Sequence, residues 1–167
     1  MTDEIKWEGS ATRANNLTVQ HFEKNVMKNT FPEDYKLFLK TTNGGRPDME
    51  HRTFPFGESQ TRTNVNLLFG LNHRTESMDL EVRNAYWWKE GASKDLLFIG
   101  VDDGGSKILL VVGGPRKGEV WLMDRHRQRD DGSNPRVEWF DRKDMQKVSD
   151  DFTEFLDSLG PLQRLAA

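Results

Sequence analysis

The segment 100–107, "GVDDGGSK", carries residue types that could bind a phosphate. It nearly matches the P-loop pattern, in which two glycines separated by four residues precede a Lys and then a Ser or Thr. In this chain Ser106 comes before Lys107, and an apolar run typical of a strand follows instead of a helix. The charges of Asp102 and Asp103 would also repel a phosphate. The segment is therefore better interpreted as a tight hairpin turn.

A second glycine-rich segment, "GGPRKG" at 113–118, is basic and could contact a phosphate or an acidic partner. It also lies between two apolar runs, where Gly and Pro are the residues expected in a turn. A turn between strands is the favoured interpretation of this segment as well.

Metal binding and nucleophilic catalysis find little support in the residue spacing. The chain has four His, and no pair of them has the spacing of metal ligands. A calcium loop starting at Asp102 would end at Gly113 instead of at a Glu. The chain has no Cys and no Gly-x-Ser-x-Gly motif, which excludes a thiol nucleophile and that type of serine nucleophile. We therefore predict no catalytic residue, no metal and no cofactor.

Basic residues alternate along the segment 124–132, "DRHRQRDDG", at Arg125, Arg127 and Arg129. On an extended chain these arginines would share one face, which could follow a phosphate backbone. Three aspartates in the same segment offset their charge, and the net charge of −3 lacks the positive excess of a dedicated nucleic-acid binder. A solvated loop is therefore favoured. We expect no direct contact with nucleic acid, and the acidic balance favours a basic protein partner.

The composition also bounds the size and location of the protein. A chain of 167 residues suits one domain, and ten Phe with five Trp supply enough apolar volume for a core. The acidic N-terminus "MTDEIKWEGS" has no apolar signal core, and no apolar run is long enough to span a membrane. The absence of Cys fits a reducing compartment. We predict a cytoplasmic protein without membrane segments.

Three helices are predicted from apolar residues at helical spacing, two in the first quarter of the chain and one at its end, and a further helix is inserted at 77–89. In the second helix, Tyr35, Phe38 and Leu39 share one face, with Thr30 and Glu33 at capping-box spacing before it. The inserted helix would bury four residues: Met78, Val82, Ala85 and Tyr86. The candidate N-caps of the other helices are Thr18, Ser77 and Ser149.

Short apolar runs separated by glycine-containing turns predict an antiparallel sheet between these helices. The proline in "HRTFPFG" makes that run an edge strand or a loop. The other predicted strands are 64–71, 96–101, 107–112, 119–124 and 136–140. The chain is thus expected to be an α+β protein: an irregular N-terminal arm at 1–17, then one domain at 18–167. Its central antiparallel meander is flanked by helices near both termini and by the inserted helix.

One helix carries a family resemblance. The segment "FPEDYKLFLKTTNGG" resembles the signature of the SUKH superfamily, in which a Leu/Phe-Pro-x-Asp-Tyr-x-x-Phe-Leu helix ends in Asn-Gly-Gly. The matching positions are Phe31, Pro32, Asp34, Tyr35, Phe38, Leu39, Asn43, Gly44 and Gly45. Downstream, "LLFIGVDDGGSKILLVV" resembles the family's hairpin, "GEVWLMDRH" its next strand and "VSDDFTEFLDSL" its closing helix. The resemblance covers roughly residues 18–160. Of the two final glycines, Gly44 is expected to take the left-handed conformation that ends the helix.

The resemblance implies a protein that binds other proteins. Bacterial members of the superfamily are largely immunity proteins, which protect the producing cell by binding a toxin domain, often a nuclease. A fungal branch acts as an interaction scaffold in cell-wall assembly and signalling. Two departures, Ser106-Lys107 after the hairpin glycines and a long loop at 125–135, fall on a surface that could contact partners. The partner's identity is therefore not carried over from the family.

The favoured hypothesis is an immunity-type protein of a toxin system that covers the active site of a basic toxin domain. An exposed hairpin would present Asp102 and Asp103 to that partner, with Glu119 and Asp124 as weaker candidates. A scaffold or regulator that binds an endogenous protein is the alternative, and a hydrolase with a site assembled across the fold is a third. A homodimer is compatible with any of them.

Overall fold

A computed structural model of the chain describes residues 4–127 and 138–162. The strands are β1 (Trp7–Glu8), β2 (Arg46–Pro47), β3 (Thr53–Phe56), β4 (Thr61–Leu68), β5 (Leu96–Asp102), β6 (Lys107–Val111), β7 (Val120–Met123) and β8 (Met145–Ser149). The short strands β1 and β2 pair with each other, and the other six form one antiparallel sheet in the order β3-β4-β5-β6-β7-β8. The predicted meander is confirmed, within a single α+β domain.

Four α-helices accompany the sheet in the described residues: α1 (Asn16–His21), α2 (Glu33–Thr41), α3 (Leu80–Lys89) and α4 (Phe152–Asp157). A π-helical segment, Phe22–Met27, continues α1 without a break, and short 3-10 helices occur at Met49–His51, Glu76–Met78 and Trp139–Asp141. As predicted, β3 contains the proline and lies at an edge of the sheet, where an absent N–H is tolerated.

The central strands of the sheet are apolar along their length, and both of their faces are covered. All of the residues from Leu96 to Gly100 are buried, and so are those from Ile108 to Val112. Such runs are typical of strands that contact the core on both sides. The two edge strands also approach each other at one end, since the N–H of Gly57 donates to the carbonyl of Lys147 at 3.0 Å. The sheet therefore curls and leaves little of its central surface open to solvent.

An aromatic cluster joins α2 to the closing helix. The ring centroids of Tyr35 and Phe152 are 5.0 Å apart, and those of Phe38 and Phe152 are 5.1 Å apart. The carboxylate of Asp34 adds a polar link, because its Oδ2 accepts the N–H of Thr153 at 2.9 Å. Burial raises the pKa of Tyr35. The predicted inward face of α2 is thus confirmed, and residues distant in sequence meet through it.

The end of α2 is held by a buried asparagine. Asn43 is 0 % exposed and has φ +64°. Its Nδ2 donates to the carbonyls of Thr12 and Leu71, and its Oδ1 accepts the N–H of Leu71 at 2.8 Å. Gly44 follows with φ +81°, as expected, but Asn43 is the first residue in the left-handed region. One side chain therefore ties the N-terminal arm, the helix end and the chain after β4 together.

The predicted helix caps are wrong, and in α1, α3 and α4 a nearby Asn or Asp takes the N-cap position instead. Asn15 caps α1 and Asp79 caps α3, each accepting a backbone N–H of the first turn. Asp151, and not Ser149, caps α4. No side chain caps α2, and Thr30 instead accepts a hydrogen bond from Lys117 Nζ at 2.6 Å. Carboxylate and amide oxygens rank at least as high as hydroxyls at this position, which explains these replacements.

The predicted inward face of α3 is also wrong. Its buried residues are Leu80, Asn84 and Trp87, while Val82 and Tyr86 are exposed. Asn84 faces inward because its amide completes the backbone hydrogen bonds of Phe98, on a part of β5 that extends beyond the end of β4. Because the polar Asn84 lies at the centre of the buried face of α3, the apolar pattern of the sequence predicted the wrong face.

The strand predicted at 136–140 is wrong within the described residues. Residues 136 and 137 lie outside them, and Trp139 begins a 3-10 helix. The strand that pairs with β7 is β8, which has fewer apolar residues than the predicted segment. Trp139 packs against Trp87 with centroids 6.0 Å apart, and Phe140 packs against Trp121 at 4.9 Å. The apolar pattern therefore reflects rings that cover the sheet instead of a strand within it.

Candidate partner-binding site

The hairpin between β5 and β6 forms where the Asp-Gly-Gly sequence predicted it. The N–H of Asp102 donates to the carbonyl of Ser106 at 3.0 Å, and the N–H of Gly105 donates to the carbonyl of Asp102 at 3.2 Å. Gly105 has φ +85°, a conformation that favours glycine. The turn is therefore built by its own backbone and carries side chains on both sides.

Asp102 does not present its charge to solvent, contrary to the sequence-based expectation. It is 6 % exposed. Its Oδ1 accepts the N–H of Ser106 at 2.7 Å, and its Oδ2 accepts the hydroxyl of Thr63 at 2.8 Å. Successive residues of a strand point to opposite sides, so one of two adjacent aspartates had to turn inward. Asp102 therefore holds the hairpin to β4.

Asp103 is the neighbour that faces solvent. Its Oδ2 accepts a hydrogen bond from Asn64 Nδ2 at 2.9 Å, and its N–H donates to the carbonyl of Asn64. Among the described residues, no Lys, Arg or His forms an ion pair with it. Its negative charge is therefore available to a partner.

Glu119 lies at the opposite end of β7, and its charge is already compensated. Its carboxylate lies 3.3 Å from Lys147 Nζ and 3.6 Å from Arg116 Nη1, and it accepts a hydrogen bond from Trp121 Nε1 at 3.0 Å. Its side chain is only 17 % exposed. A partner would have to displace these cations to use it.

Asp124 follows β7 and lies close to the hairpin. Its Oδ1 accepts the N–H of His126 at 2.9 Å, which shapes the turn after the strand. The next residue, Arg125, donates its N–H to the hydroxyl of Ser106 at 2.9 Å. The structure thus brings Asp102, Asp103 and Asp124 to one end of the sheet and places Glu119 elsewhere.

Cations that were not among the predicted site residues lie at this same end. A Cβ added to Gly105 would be 2.7 Å from Arg125 Nη1, so the guanidinium covers the hairpin turn. Lys107 Nζ is 5.2 Å from the ring centroid of Phe98, and Arg83 Cζ on α3 is 5.2 Å from the same centroid. Arg83 and Arg125 line two adjoining clefts that share Lys107, and we refer to these three residues as the basic groove.

The groove places positive charges close together, and those of Arg83 and Lys107 are partly buried. Burial lowers the pKa of Lys107; Arg83 and Arg125 lower it further, while Glu90 has the opposite effect. Burial likewise lowers the pKa of Arg83. Within the described part of the chain, none of the three side chains forms an ion pair with a carboxylate. These residues were missed because they come from three separate elements that only the fold brings together.

Other predicted sites have clear outcomes where the chain is described. Arg127 donates to the carbonyl of Lys143 at 3.4 Å, while Arg129 and the aspartates at 130 and 131 lie outside the described residues. Over 4–127 and 138–162, no three acidic or histidine side chains are grouped so as to hold a metal ion. In the same ranges, no helix has the length and apolar character needed to cross a membrane.

Comparison with known proteins identifies one family. A family model described as SMI1 / KNR4 family (SUKH-1) matches residues 14–158. The search of curated proteins returned no match. The matched range includes α2, the hairpin and α4, which are the elements that carried the resemblance in the sequence.

Proposed function

Because the chain belongs to the SMI1/KNR4 family (SUKH-1), we propose that it is a protein-binding domain of the immunity or cell-wall-regulator type and not an enzyme. The observation that carries this proposal is the family match over residues 14–158, which covers the whole sheet. A protein whose task is to bind needs a rigid surface with available charges, and the hairpin end of the sheet supplies one.

Within this class, we propose the immunity role: the protein binds a toxin domain and covers its active site. A nuclease domain holds substrate phosphates with positive charge, so an inhibitor can occupy that position with a carboxylate. Of the four acidic residues predicted for the site, Asp103 is best placed to do so, because it lies in the hairpin turn, is exposed and has no ion-pair partner in the described residues. Asp124 assists from the adjacent turn, Glu119 contributes only if its cations are displaced, and Asp102 positions the hairpin.

Co-expression tests the proposal directly. The product of the adjacent gene is taken as the candidate toxin and is produced in a sensitive cell with and without the protein, and survival is counted. We expect survival with the wild type, and reduced survival with Asp103→Lys. Glu58→Lys is the matched control, because Glu58 is also an exposed acid in a hairpin turn, between β3 and β4. Equal protection by both variants would show that Asp103 is not part of the binding site. Failure of the wild type to protect would contradict the immunity role.

The regulator role is the second candidate, supported by the same family match. It predicts an endogenous protein partner that remains active when bound. Purification of the tagged protein from its own cells, followed by an activity assay of the captured partner, distinguishes the two roles. An inhibited toxin favours immunity, whereas an active endogenous protein favours regulation.

A further inference from the structure

We propose that the basic groove binds an acidic segment of a protein partner that also carries apolar side chains. This inference rests on the protein-binding function proposed above, and it adds a second surface with the opposite charge preference. The groove is formed by Arg83 on α3, Lys107 on β6 and Arg125 after β7.

Comparison with a neighbouring arginine shows that, within residues 4–127 and 138–162, these cations do not hold the fold by ion pairing. Arg142 donates two hydrogen bonds to the carboxylate of Asp144, at 3.0 and 2.6 Å, and stacks on Trp139. This is the usual paired arrangement for a half-buried guanidinium. Arg83 and Lys107 contact an aromatic ring in the same way, but neither forms an ion pair with a carboxylate among the described residues.

Partial burial makes an external carboxylate favourable at this position. Arg83 and Lys107 both contact the ring of Phe98, and both are only partly exposed. Their positive charges have already lost part of their hydration and repel each other, as the lowered pKa of Lys107 indicates. A carboxylate entering the groove would restore a counter-charge where water is reduced, and such contacts are stronger than those on an open surface.

The rim of the groove adds an apolar contact. Val82 and Tyr86 lie one turn apart on α3 on either side of Arg83 and are 43 % and 70 % exposed. Tyr and Arg are residue types enriched at protein-binding hot spots, and the exposed Val82 adds apolar area beside them. A segment that combines carboxylates with apolar side chains would satisfy both the groove and its rim.

The surrounding acids favour a protein segment over a nucleic acid. Glu76 and Glu90 line the groove beside α3, and Asp124 lies beside Arg125 and Lys107. A continuous phosphate chain would meet these carboxylates, and the whole chain carries a net charge of −3. A peptide can place its carboxylates singly between them.

Fluorescence anisotropy provides the test. Three labelled probes are titrated with the protein: a peptide of alternating Glu and Leu, the same peptide with Lys in place of Glu, and a single-stranded oligothymidylate. We expect the acidic peptide to bind more tightly than the other two, and to weaken as salt rises. Tighter binding of oligothymidylate, or of the Lys peptide, would overturn the proposal.

Matched variants locate the binding. Arg83→Gln/Arg125→Gln removes two positive charges from the groove, and Lys24→Gln/Arg46→Gln removes two exposed positive charges elsewhere. The affinity for the acidic peptide should fall by about tenfold or more in the first and by less than about twofold in the second. Because Arg125 is exposed, the single variant Arg125→Gln keeps the fold and should still lose affinity. Equal losses in the groove and control variants would overturn the proposal.

The same variants separate this inference from the immunity role. If the wild type does not neutralise the toxin but binds the acidic peptide through the groove, the immunity role fails and this inference stands. If the wild type neutralises the toxin, binds no acidic peptide, and Arg83→Gln/Arg125→Gln protects as well as the wild type, this inference alone fails.

Discussion

The end of α2 and the basic groove use polar residues in opposite ways. At the end of α2, Asn43 is fully buried and its side chain makes three hydrogen bonds inside the protein, two donated by Nδ2 and one accepted by Oδ1. In the groove, Lys107 and Arg83 are partly buried and have no carboxylate partner among the described residues. Buried polar groups that are satisfied stabilise a fold, whereas partly buried charges without partners cost stability and are kept for another reason. The end of α2, which carries the family signature, therefore holds the fold. The basic groove, which matches no sequence motif, keeps positive charges that no described carboxylate pairs with.

The largest effect is expected where a side chain is added at the end of α2. Gly44 has φ +81°, and a Cβ there would lie 2.7 Å from the backbone N of Gly70 and the carbonyl oxygen of Leu68. Gly44→Val should lower the free energy of unfolding by about 4 kcal/mol or more, because backbone atoms cannot move aside cheaply. Denaturant unfolding measures this loss.

Gly91→Val is the control for that substitution. Gly91 also has a positive φ, +105°, but no atom lies within 4 Å of an added Cβ. It should cost only the conformational strain of about 1–2 kcal/mol. If the two variants lost equal stability, the close packing around Asn43 and Gly44 would not be what distinguishes this region.

A smaller effect is expected in the hairpin, where two adjacent aspartates have different roles. Asp102→Ala removes the acceptors of the Ser106 N–H and the Thr63 hydroxyl and should cost about 2 kcal/mol. Asp103→Ala should change stability by less than about 0.5 kcal/mol, because its side chain is exposed. Thermal unfolding of the two variants, which differ by one position, gives the comparison. A larger loss in Asp103→Ala would reverse the roles assigned to these residues.

The smallest effect concerns the groove and its dependence on pH. Burial lowers the pKa of Lys107 below its ordinary value of 10.5. Between the lowered pKa and 10.5 the unfolded chain binds more protons than the folded one, so the free energy of unfolding of the wild type should rise with pH there. This rise should be smaller in Lys107→Met, which at neutral pH should equal the wild type or exceed it by up to about 1 kcal/mol. Denaturant midpoints compared between neutral pH and pH 10.5 test this. A loss of more than about 1 kcal/mol at neutral pH would show that Lys107 stabilises the fold.

Much of the fold was predictable because its signals are local. Residues within one turn or hairpin are enough to specify three of its features: the strands around the Asp-Gly-Gly turn, the edge strand with Pro55 and the inward face of α2. The α3 face was not predictable from its own apolar pattern, since Asn84 turns inward only because Phe98 has backbone groups to satisfy. The strand predicted at Trp139 and Phe140 was wrong because their rings pack against Trp87 and Trp121 of other elements, which a local apolar pattern does not reveal.

The candidate site divides in the same way. The sequence predicted a hairpin with two aspartates, but which of them faces solvent depended on Thr63 and Asn64 of the neighbouring strand. The sequence drew attention to Lys107 and Arg125 only in two separate segments, and it did not group them with Arg83, because the three cations are separated by 24 and 18 positions along the chain.

By itself, the sequence determined most of the helices and strands, the meander and the family, because turns, strand runs and the Pro-to-Gly-Gly helix are set by neighbouring residues. Only the tertiary structure decided which charged side chains are hydrogen-bonded or paired inside the protein and which remain accessible to a partner. The physical reason is that hydrogen bonding and burial of Asp102 or Lys107 depend on side chains from other strands and helices, which are adjacent to them only in the folded chain.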